Sequence, residues 1–590
     1  MDIPYFLARR VPKLVRFLRT AMGLLTLSGI IVFGTLGYNG RPHFYWYMIL
    51  AVAPLFGWVS FRRAVPIAQA FERARRRWKA RGADVERVRY TRFAQLRSNF
   101  AEVTRDETQG YVDDRTWVDL GVETLLERID VCFTMAGRNE LYRLLRHSLP
   151  DDAAVNDRRS LMALLRDDDS ERLRLATALA RVGEESDADP ADLLWSDTTV
   201  PDDLYPLFIG MSLFSVGSIG FTIFVNPGAG VLALIVAFIA NMWIYYRKAR
   251  FLSVHVPALR VLSRMIDQSR TLDWGELPAL RAETGSVRRA FAWLLTGAPS
   301  PSPSLSGDIM EMLFLYVKIF FQIDLIAFNR ILRVVRAHQD AYRRLYRSMG
   351  EMDALYALAS YRARRRTTCD AVAGPSAETR IVLQEAYHPL LKKAVSSSVK
   401  LGLPGAIITG TNMAGKSTFL RMLGINALFA QSVGYTFAAG YSGRRFRIMS
   451  SIEKQDDLSE GRSFYFDEAE RIFRMIERTG EQEPVLLLID ELLSGTNSLE
   501  RESASIAILH YLSSRNALTV AATHDVAIAE GVRDRYALYH FTDQADESGL
   551  FFDYTLHEGV VQTRNAIKLL RIIGYPEDVI EEAMRKTDRS

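Results

Sequence analysis

Four apolar runs interrupt an otherwise mixed hydrophobic and polar pattern in the first half of the chain. Residues 20–38 and 44–61 carry no charge and are joined by Asn39-Gly40-Arg41-Pro42-His43. Residues 204–225 and 228–246 are joined by Asn226-Pro227, and no Asp, Glu, Lys or Arg occurs between Asp203 and Arg247. Each run approaches the ~20 residues a helix needs to cross a bilayer. Paired runs with short connections predict helical hairpins that enter a membrane and return. Tyr45, Trp46 and Tyr47 in the first pair, and Trp243, Tyr245 and Tyr246 in the second, are the amphipathic rings expected at an interface. The alternative for both pairs is a set of buried core helices. Pro54 interrupts the shorter second run and gives that alternative more room there.

Charge at the flanks orients the hairpins. Arg9, Arg10, Lys13, Arg16 and Arg19 precede the first run, Arg62 and Arg63 follow the second, and Arg247, Lys248 and Arg250 follow the fourth. The positive-inside rule then places both termini and the bulk of the chain in the cytoplasm of a multi-pass protein of the cell (inner) membrane. The basic start resembles a secretory signal, but a second apolar run follows instead of a small-residue cleavage site, so an anchor is expected.

Beyond the hairpins the pattern changes twice. Residues 113–203 and 247–370 place apolar side chains at three- and four-residue spacing, as at Leu120, Leu125, Leu126 and Ile129, which predicts helices. From about 371 short β-type runs at 381–383, 406–409, 485–489 and 518–522 alternate with helical segments. The expected divisions are therefore 1–63 (first hairpin), 64–112 (basic linker helix), 113–203 (helical), 204–246 (second hairpin), 247–370 (helical) and 371–590 (α/β).

Composition changes this picture only locally. The net charge is +5 over 590 residues, yet from Arg62 to Arg97 twelve Lys or Arg face three acids, a surplus of nine. The remainder is slightly acidic, so no chain-wide nucleic-acid-binding charge exists. The basic stretch suits anionic membrane lipid headgroups, with a nucleic-acid arm as the alternative. An Arg-studded face (Arg330, Arg333, Arg336, Arg343, Arg344, Arg347) reads as a solvated surface or one that meets an acidic polymer. Two distant cysteines, Cys132 and Cys369, exclude a disulfide framework and a cysteine-based metal site.

The chemistry lies in the α/β part. Gly410-Thr411-Asn412-Met413-Ala414-Gly415-Lys416-Ser417-Thr418 satisfies the phosphate-loop pattern, between an apolar strand and a helix. Such a loop turns successive N–H groups toward phosphates at a helix N-terminus. Lys416 would neutralise the β- and γ-phosphates of ATP, and the Ser417 hydroxyl would ligate Mg²⁺. A buried-type run, Val485-Leu486-Leu487-Leu488-Ile489, ends in Asp490-Glu491. Asp490 is the candidate Mg²⁺ partner and Glu491 the candidate general base. His524 follows a further strand as a candidate γ-phosphate sensor.

These motifs, taken with others, resemble the MutS family. Thr409-Gly410-Thr411-Asn412-Met413-Ala414-Gly415-Lys416-Ser417-Thr418 is similar to its T-G-P-N-M-G-G-K-S-T, with Thr411 and Ala414 as departures. Asp456-Asp457-Leu458-Ser459-Glu460-Gly461-Arg462-Ser463-Phe464 resembles its D-D-L-x-x-G-x-S-T-F signature, and Asp490-Glu491-Leu492-Leu493-Ser494-Gly495-Thr496-Asn497 its D-E-x-x-x-G-T-S. Tyr387-His388-Pro389-Leu390 looks like its R-H-P-x segment, and Ile573-Gly574-Tyr575-Pro576 like the start of its closing helix. A weaker likeness from Leu125 to Leu145, including Asp130 and Gly137, resembles a line of its helical core.

The resemblance implies an α/β P-loop (ABC-type) ATPase domain on an all-α core, here with four transmembrane helices in two hairpins. It implies ATP and Mg²⁺ as cofactors, His388 among the nucleotide-binding residues, and a homodimer in which Ser463 acts in trans on the other subunit's nucleotide. DNA binding within the mismatch-repair superfamily follows from the same likeness, and a transporter-like or membrane-remodelling ATPase is the alternative. The family's Phe-x-Glu mismatch wedge has no domain here: Phe100-Ala101-Glu102 lies in the basic linker and Phe466-Asp467-Glu468 after the signature. No small-molecule substrate other than ATP is indicated.

Overall fold

The computed structural model describes residues 67–78, 80, 111–148, 152–183, 189–195, 205–284, 316–373, 379–411, 414–452, 464–481, 483–546, 549–560 and 574–587, with isolated positions between 21 and 35. The apolar runs at 20–38 and 44–61 fall almost wholly outside these residues. So does most of the basic linker.

In chain order the helices before the sheet region are α1 (Asp114–Asp119), α2 (Val122–Ile129), α3 (Met135–Arg146), α4 (Asp152–Asp167), α5 (Asp169–Val182), α6 (Pro190–Trp195), α7 (Tyr205–Phe224), α8 (Pro227–Ser269), α9 (Leu277–Thr284), α10 (Ile323–Ala337) and α11 (Gln339–Ala363). The strands are β1 (Cys369–Asp370), β2 (Val372–Ala373), β3 (Thr379–Ala386), β4 (Ser397–Gly402), β5 (Gly405–Thr409), β6 (Tyr435–Thr436), β7 (Gly440–Gly443), β8 (Arg447–Ser451), β9 (Val485–Asp490), β10 (Ala517–Thr523), β11 (Ala537–Asp546) and β12 (Gly549–Glu558). Among the strands lie α12 (Lys416–Ser432), α13 (Phe464–Arg478), α14 (Ser498–Ser513) and α15 (Val526–Gly531), and α16 (Glu577–Thr587) follows them. The chain forms two compact units. One comprises residues up to 105, 130–141 and 164–358, and the other 106–129, 142–163 and 359–590.

The first unit is helical. Asp353 is buried on α11, and its carboxylate accepts from the Phe133 N–H at 3.0 Å, the Thr134 N–H at 2.8 Å and the Thr134 hydroxyl at 2.7 Å. It thereby satisfies N–H groups just before α3, where a helix has no internal acceptors. Asn139, Asp189 and Tyr346 form a second buried hydrogen-bonded set. The described part of the basic stretch is a helix over 67–77 that packs by Ala68, Ala70 and Ala74. Arg77 lies over the Phe133 ring and Arg73 donates to the Ala180 carbonyl, while Arg75 and Arg76 are exposed. The stretch read as a ligand for anionic surfaces thus also holds this unit together.

Two helices are long and apolar enough to cross a membrane: α7 and the first 22 residues of α8, Pro227–Lys248. They correspond to the second expected hairpin. Among the described residues there are two such helices, not the four expected, because the first pair lies outside them. Asn226 accepts from the Ala229 N–H and Pro227 opens α8, so the two-residue connection caps the returning helix. Apolar side chains along both helices stay exposed: Phe224 84%, Leu213 65% and Leu232 64%.

A third segment, unmarked in the sequence pattern, packs on this hairpin. Asn241 donates to the Ser215 hydroxyl and to the Phe320 carbonyl, both at 2.8 Å. Gln322 donates to the Asn241 carbonyl at 2.8 Å from a left-handed backbone, φ +52°. Lys318 and Asp324 pair at 3.3 Å beside it.

The second unit is built on a six-stranded sheet in the order β12-β11-β5-β10-β9-β8. β11, β5, β10, β9 and β8 run parallel, and β12 returns antiparallel. Strands β5 and β10 are buried along their whole length, as is β9 except at Asp490. That is why their sequences read as continuous apolar runs instead of alternating ones. The four strands expected from sequence lie within β3, β5, β9 and β10. A four-stranded sheet, β2-β7-β3-β4, and the β11–β12 hairpin were not anticipated. Helices α1, α2 and α4 belong to this unit. Arg146, buried at the end of α3, pairs with Asp114 at 2.7 Å and covers the Trp117 ring.

Candidate nucleotide site

Strand β5 ends at Thr409, and the chain turns through Gly410 into α12, which starts at Lys416. The turn depends on Gly415. Its φ is +105°, and an added Cβ would lie 3.2 Å from the Tyr554 ring. Only glycine meets both conditions without strain. Lys416 is buried and its Nζ donates to the Gly410 carbonyl at 2.5 Å, across the mouth of the loop. Burial lowers its pKa, opposed by the Asp490 and Glu491 carboxylates. Ala414 is buried and donates to the Thr411 carbonyl. Asn412 and Met413 lie outside the described residues.

Sheet order brings the second motif to the first. β10 lies between β5 and β9, so the C-terminal ends of all three parallel strands share one edge. The Ser417 hydroxyl donates to Asp490 Oδ2 there. Glu491 follows with φ +59°, its N–H bound to the Ala522 carbonyl at 2.9 Å. Its Oε1 lies 2.9 Å from His524 Nδ1 at the end of β10. The carboxylate is 12% exposed and the imidazole 46%, so His524 shields Glu491 from one side. A left-handed backbone at a glutamate costs energy, and here the Ala522 and His524 contacts hold it. Leu493, φ +53°, continues the strained loop, and Ser494 is held by Glu468 of α13 through its N–H at 3.1 Å and its hydroxyl at 3.3 Å.

A cavity of about 450 Å³ opens beside the loop, lined by His388, Lys393, Val395, Ser417, Thr418 and Tyr554 among others. His388 accepts from the Leu390 N–H at 3.3 Å through Nδ1. Burial first, and then Arg421 and Arg128, lower its pKa to about 4, so the ring is neutral at pH 7. Sequence reasoning missed Tyr554, Val395 and Lys393 at this cavity and Glu468 behind the strained loop. Ser463 lies outside the described residues.

The donors fit Mg²⁺. Among the described residues no three His, Cys, Asp or Glu side chains converge, but a hydroxyl and a carboxylate meet at Ser417 and Asp490. Such a pair suits an ion that takes few protein oxygens and fills its shell with water and phosphate. An αβ layer whose glycine loop faces two acids at the end of a strand two places along the sheet is the P-loop nucleotide-binding class.

Comparison with known proteins narrows that class. Residues 406–589 match the family model of MutS domain V. The DNA mismatch repair protein MutS of Thermus thermophilus is 28% identical over 252 residues, which cover 42% of this chain and 30% of that protein. The endonuclease MutS2 of Pediococcus pentosaceus is 28% identical over 262 residues, 43% of this chain and 33% of its own length. That of Leuconostoc mesenteroides is 31% identical over 221 residues, 36% and 27%. Through this C-terminal region, residues 406–589, the chain is similar to the MutS family. It spans about a third or less of the length of these curated relatives.

Proposed function

We propose that this chain is a membrane-anchored MutS-like ATPase that binds and hydrolyses ATP in a composite homodimer site and couples that cycle to DNA. The observation that carries the ATPase reading is the array at one sheet edge: Lys416 and Ser417 on the loop, Asp490 beside them, and Glu491 held by His524. Lys416 would leave the Gly410 carbonyl to neutralise the phosphates. Ser417 and Asp490 would hold Mg²⁺, which when bound draws negative charge from the β- and γ-phosphate oxygens. Glu491 would accept a proton from the attacking water, and His524 would fix the carboxylate's direction. The cavity bounded by His388, Val395 and Tyr554 would take the nucleoside, with Tyr554 offering a ring face to the base. Ser463 of a second copy would complete the site.

Membrane anchoring rests on α7 and the first half of α8, whose length and exposed apolar side chains would suit a lipid-facing surface. Both termini and the ATPase domain would be cytoplasmic in the cell membrane. DNA is favoured by the mismatch-repair relatives. The second reading, a membrane-remodelling ATPase, is favoured by the third segment clasped to the hairpin at Asn241 and Gln322. The deciding experiment measures ATP hydrolysis by the detergent-solubilised protein with duplex DNA, mismatched DNA or anionic lipid. Stimulation by DNA supports the first reading. Stimulation by lipid alone selects the second, and no hydrolysis under any condition removes both.

A further inference from the structure

Among the described residues strand β8 is an edge of the six-stranded sheet, so its outward N–H groups take partners other than a strand. Helix α1, more than three hundred residues earlier in the chain, supplies them. The Ser450 N–H donates to the Thr116 hydroxyl at 3.0 Å, and the Ile452 N–H to Asp119 Oδ2 at 3.0 Å. The Ser450 hydroxyl donates to the same Asp119 oxygen at 2.7 Å.

The same short segment holds the helices on either side of the site. Arg421 of α12 donates to the Asp119 main-chain carbonyl at 2.7 Å. Leu120 fills the space at Gly424, where an added Cβ would come within 2.5 Å of it. Arg471 of α13 donates to the Ser450 carbonyl and to Thr116, and pairs with Asp113 at 3.1 Å. Asp113 in turn caps α1 through the Thr116 N–H. Asp119 is fully buried, so its hydrogen bonds are formed away from competing water.

We propose that Asp119 is a positioning residue for ATP hydrolysis. It ties the P-loop helix α12 to the end of β8, while its neighbours Asp113 and Thr116 tie β8 to α13. The chain that leads into the signature at Ile452 and out of it along α13 is thus braced by the segment that braces α12. This rests on the ATPase reading above. Asp119 touches no reacting atom. Its effect is to hold the P-loop helix α12 in register with β8 and α13, and misplacement on the ångström scale costs rate before it costs binding.

The test compares Asp119→Ala and Asp119→Asn with wild type, as full-length protein in detergent. Asp119→Ala should lower kcat on the order of 10- to 100-fold. Its affinity for a fluorescent ATP analogue should stay within about threefold, with only a modest fall in melting temperature as the Ile452 N–H and Ser450 hydroxyl lose a buried acceptor. Asp119→Asn keeps an oxygen for the Ile452 N–H and should recover most of the rate. An unchanged kcat overturns the proposal. So does a fall in rate accompanied by an equal fall in affinity and melting temperature, which marks a merely structural residue. If Asp119→Ala does not fold, Ser450→Ala carries the test: it removes the Ser450 hydroxyl donor to Asp119 Oδ2, and a normal kcat in it overturns the proposal. Wild-type protein that does not hydrolyse ATP, or a Glu491→Gln variant as fast as wild type, removes the ATPase reading itself.

Discussion

Strand β9 and helix α7 are both almost uninterrupted apolar runs, yet they meet opposite surroundings. Val485, Leu486, Leu487 and Leu488 of β9 are completely buried, flanked by β10 and β8 in the sheet, and Val485 and Leu487 share a core cluster with Met475 and Leu509. Along α7, Leu213, Phe214, Val216, Ile223 and Phe224 are all exposed. The difference is length and partners. Six residues of strand are covered by neighbouring strands and helices, whereas among the described residues the twenty residues of α7 lie beside α8, with α10 and the segment before it covering only part of their length. A run of the second kind is stable where the solvent itself is apolar.

The sharpest test of this contrast lies at the buried run's end. Glu491→Gln keeps the size of the side chain and removes the proton acceptor, so hydrolysis should fall ~10²–10⁴-fold. Nucleotide should still bind, and light scattering with ATP and Mg²⁺ should show a dimer that Lys416→Ala does not form. Hydrolysis at the wild-type rate sinks the mechanism, and an inactive variant that stays monomeric sinks the composite site.

Next in size are matched leucines. Leu487→Ala leaves a cavity in the sheet and should cost about 2–5 kcal/mol by denaturant unfolding, whereas Leu213→Ala should cost almost nothing. Leu213→Lys separates the solvents. It should weaken insertion by about 3 kcal/mol if α7 faces lipid, read as loss from the membrane fraction. A rise in soluble, active protein would break the comparison.

A cysteine at position 226, in the turn between α7 and α8, should react with an impermeant reagent added outside intact cells. Failure to label, with the protein in the soluble fraction, would remove the membrane half of the reading.

The smallest effect is on pH dependence, and the two units should differ in sign. Asp353 has its pKa raised to about 6, mainly by burial. The stability it gives the helical unit is present below about pH 4 and lost as pH rises toward 6. His388 is lowered to about 4, so its contribution to the sheet unit is present above about pH 6.5 and lost as pH falls toward 4. Asp353→Asn and His388→Gln should flatten the pH dependence of their own unit's thermal transition. A change in the other unit's transition would contradict the assignment.

What could be read in advance was local. The phosphate loop and the Asp490-Glu491 strand end are short continuous strings whose residue types are fixed by their chemistry. The α7–α8 hairpin was legible because charge stops abruptly at Asp203 and resumes at Arg247. What escaped depends on distant pairings. Tyr554 reaches the loop because β11 adds to β5 and β12 turns back on it. Thr116 and Asp119 find β8 across more than three hundred residues, and no local period announces it. The hydrogen bonds of Asn241 and Gln322 exist only once 316–322 lies on the hairpin, and no local pattern marks them.

Helix α8 runs without a break for 43 residues, from Pro227 to Ser269. At 1.5 Å per residue that is a rod of about 65 Å. Its first half is the exposed apolar arm, and its second half buries Leu259, Leu262, Met265 and Ile266 in the helical unit. Arm and core are therefore one stiff lever. A tilt imposed at the Pro227 end arrives at Ser269 as a displacement, reduced only by whatever bend Pro257 permits. Mechanical load on the hairpin is felt in the core through a single backbone, with no joint to be ordered first.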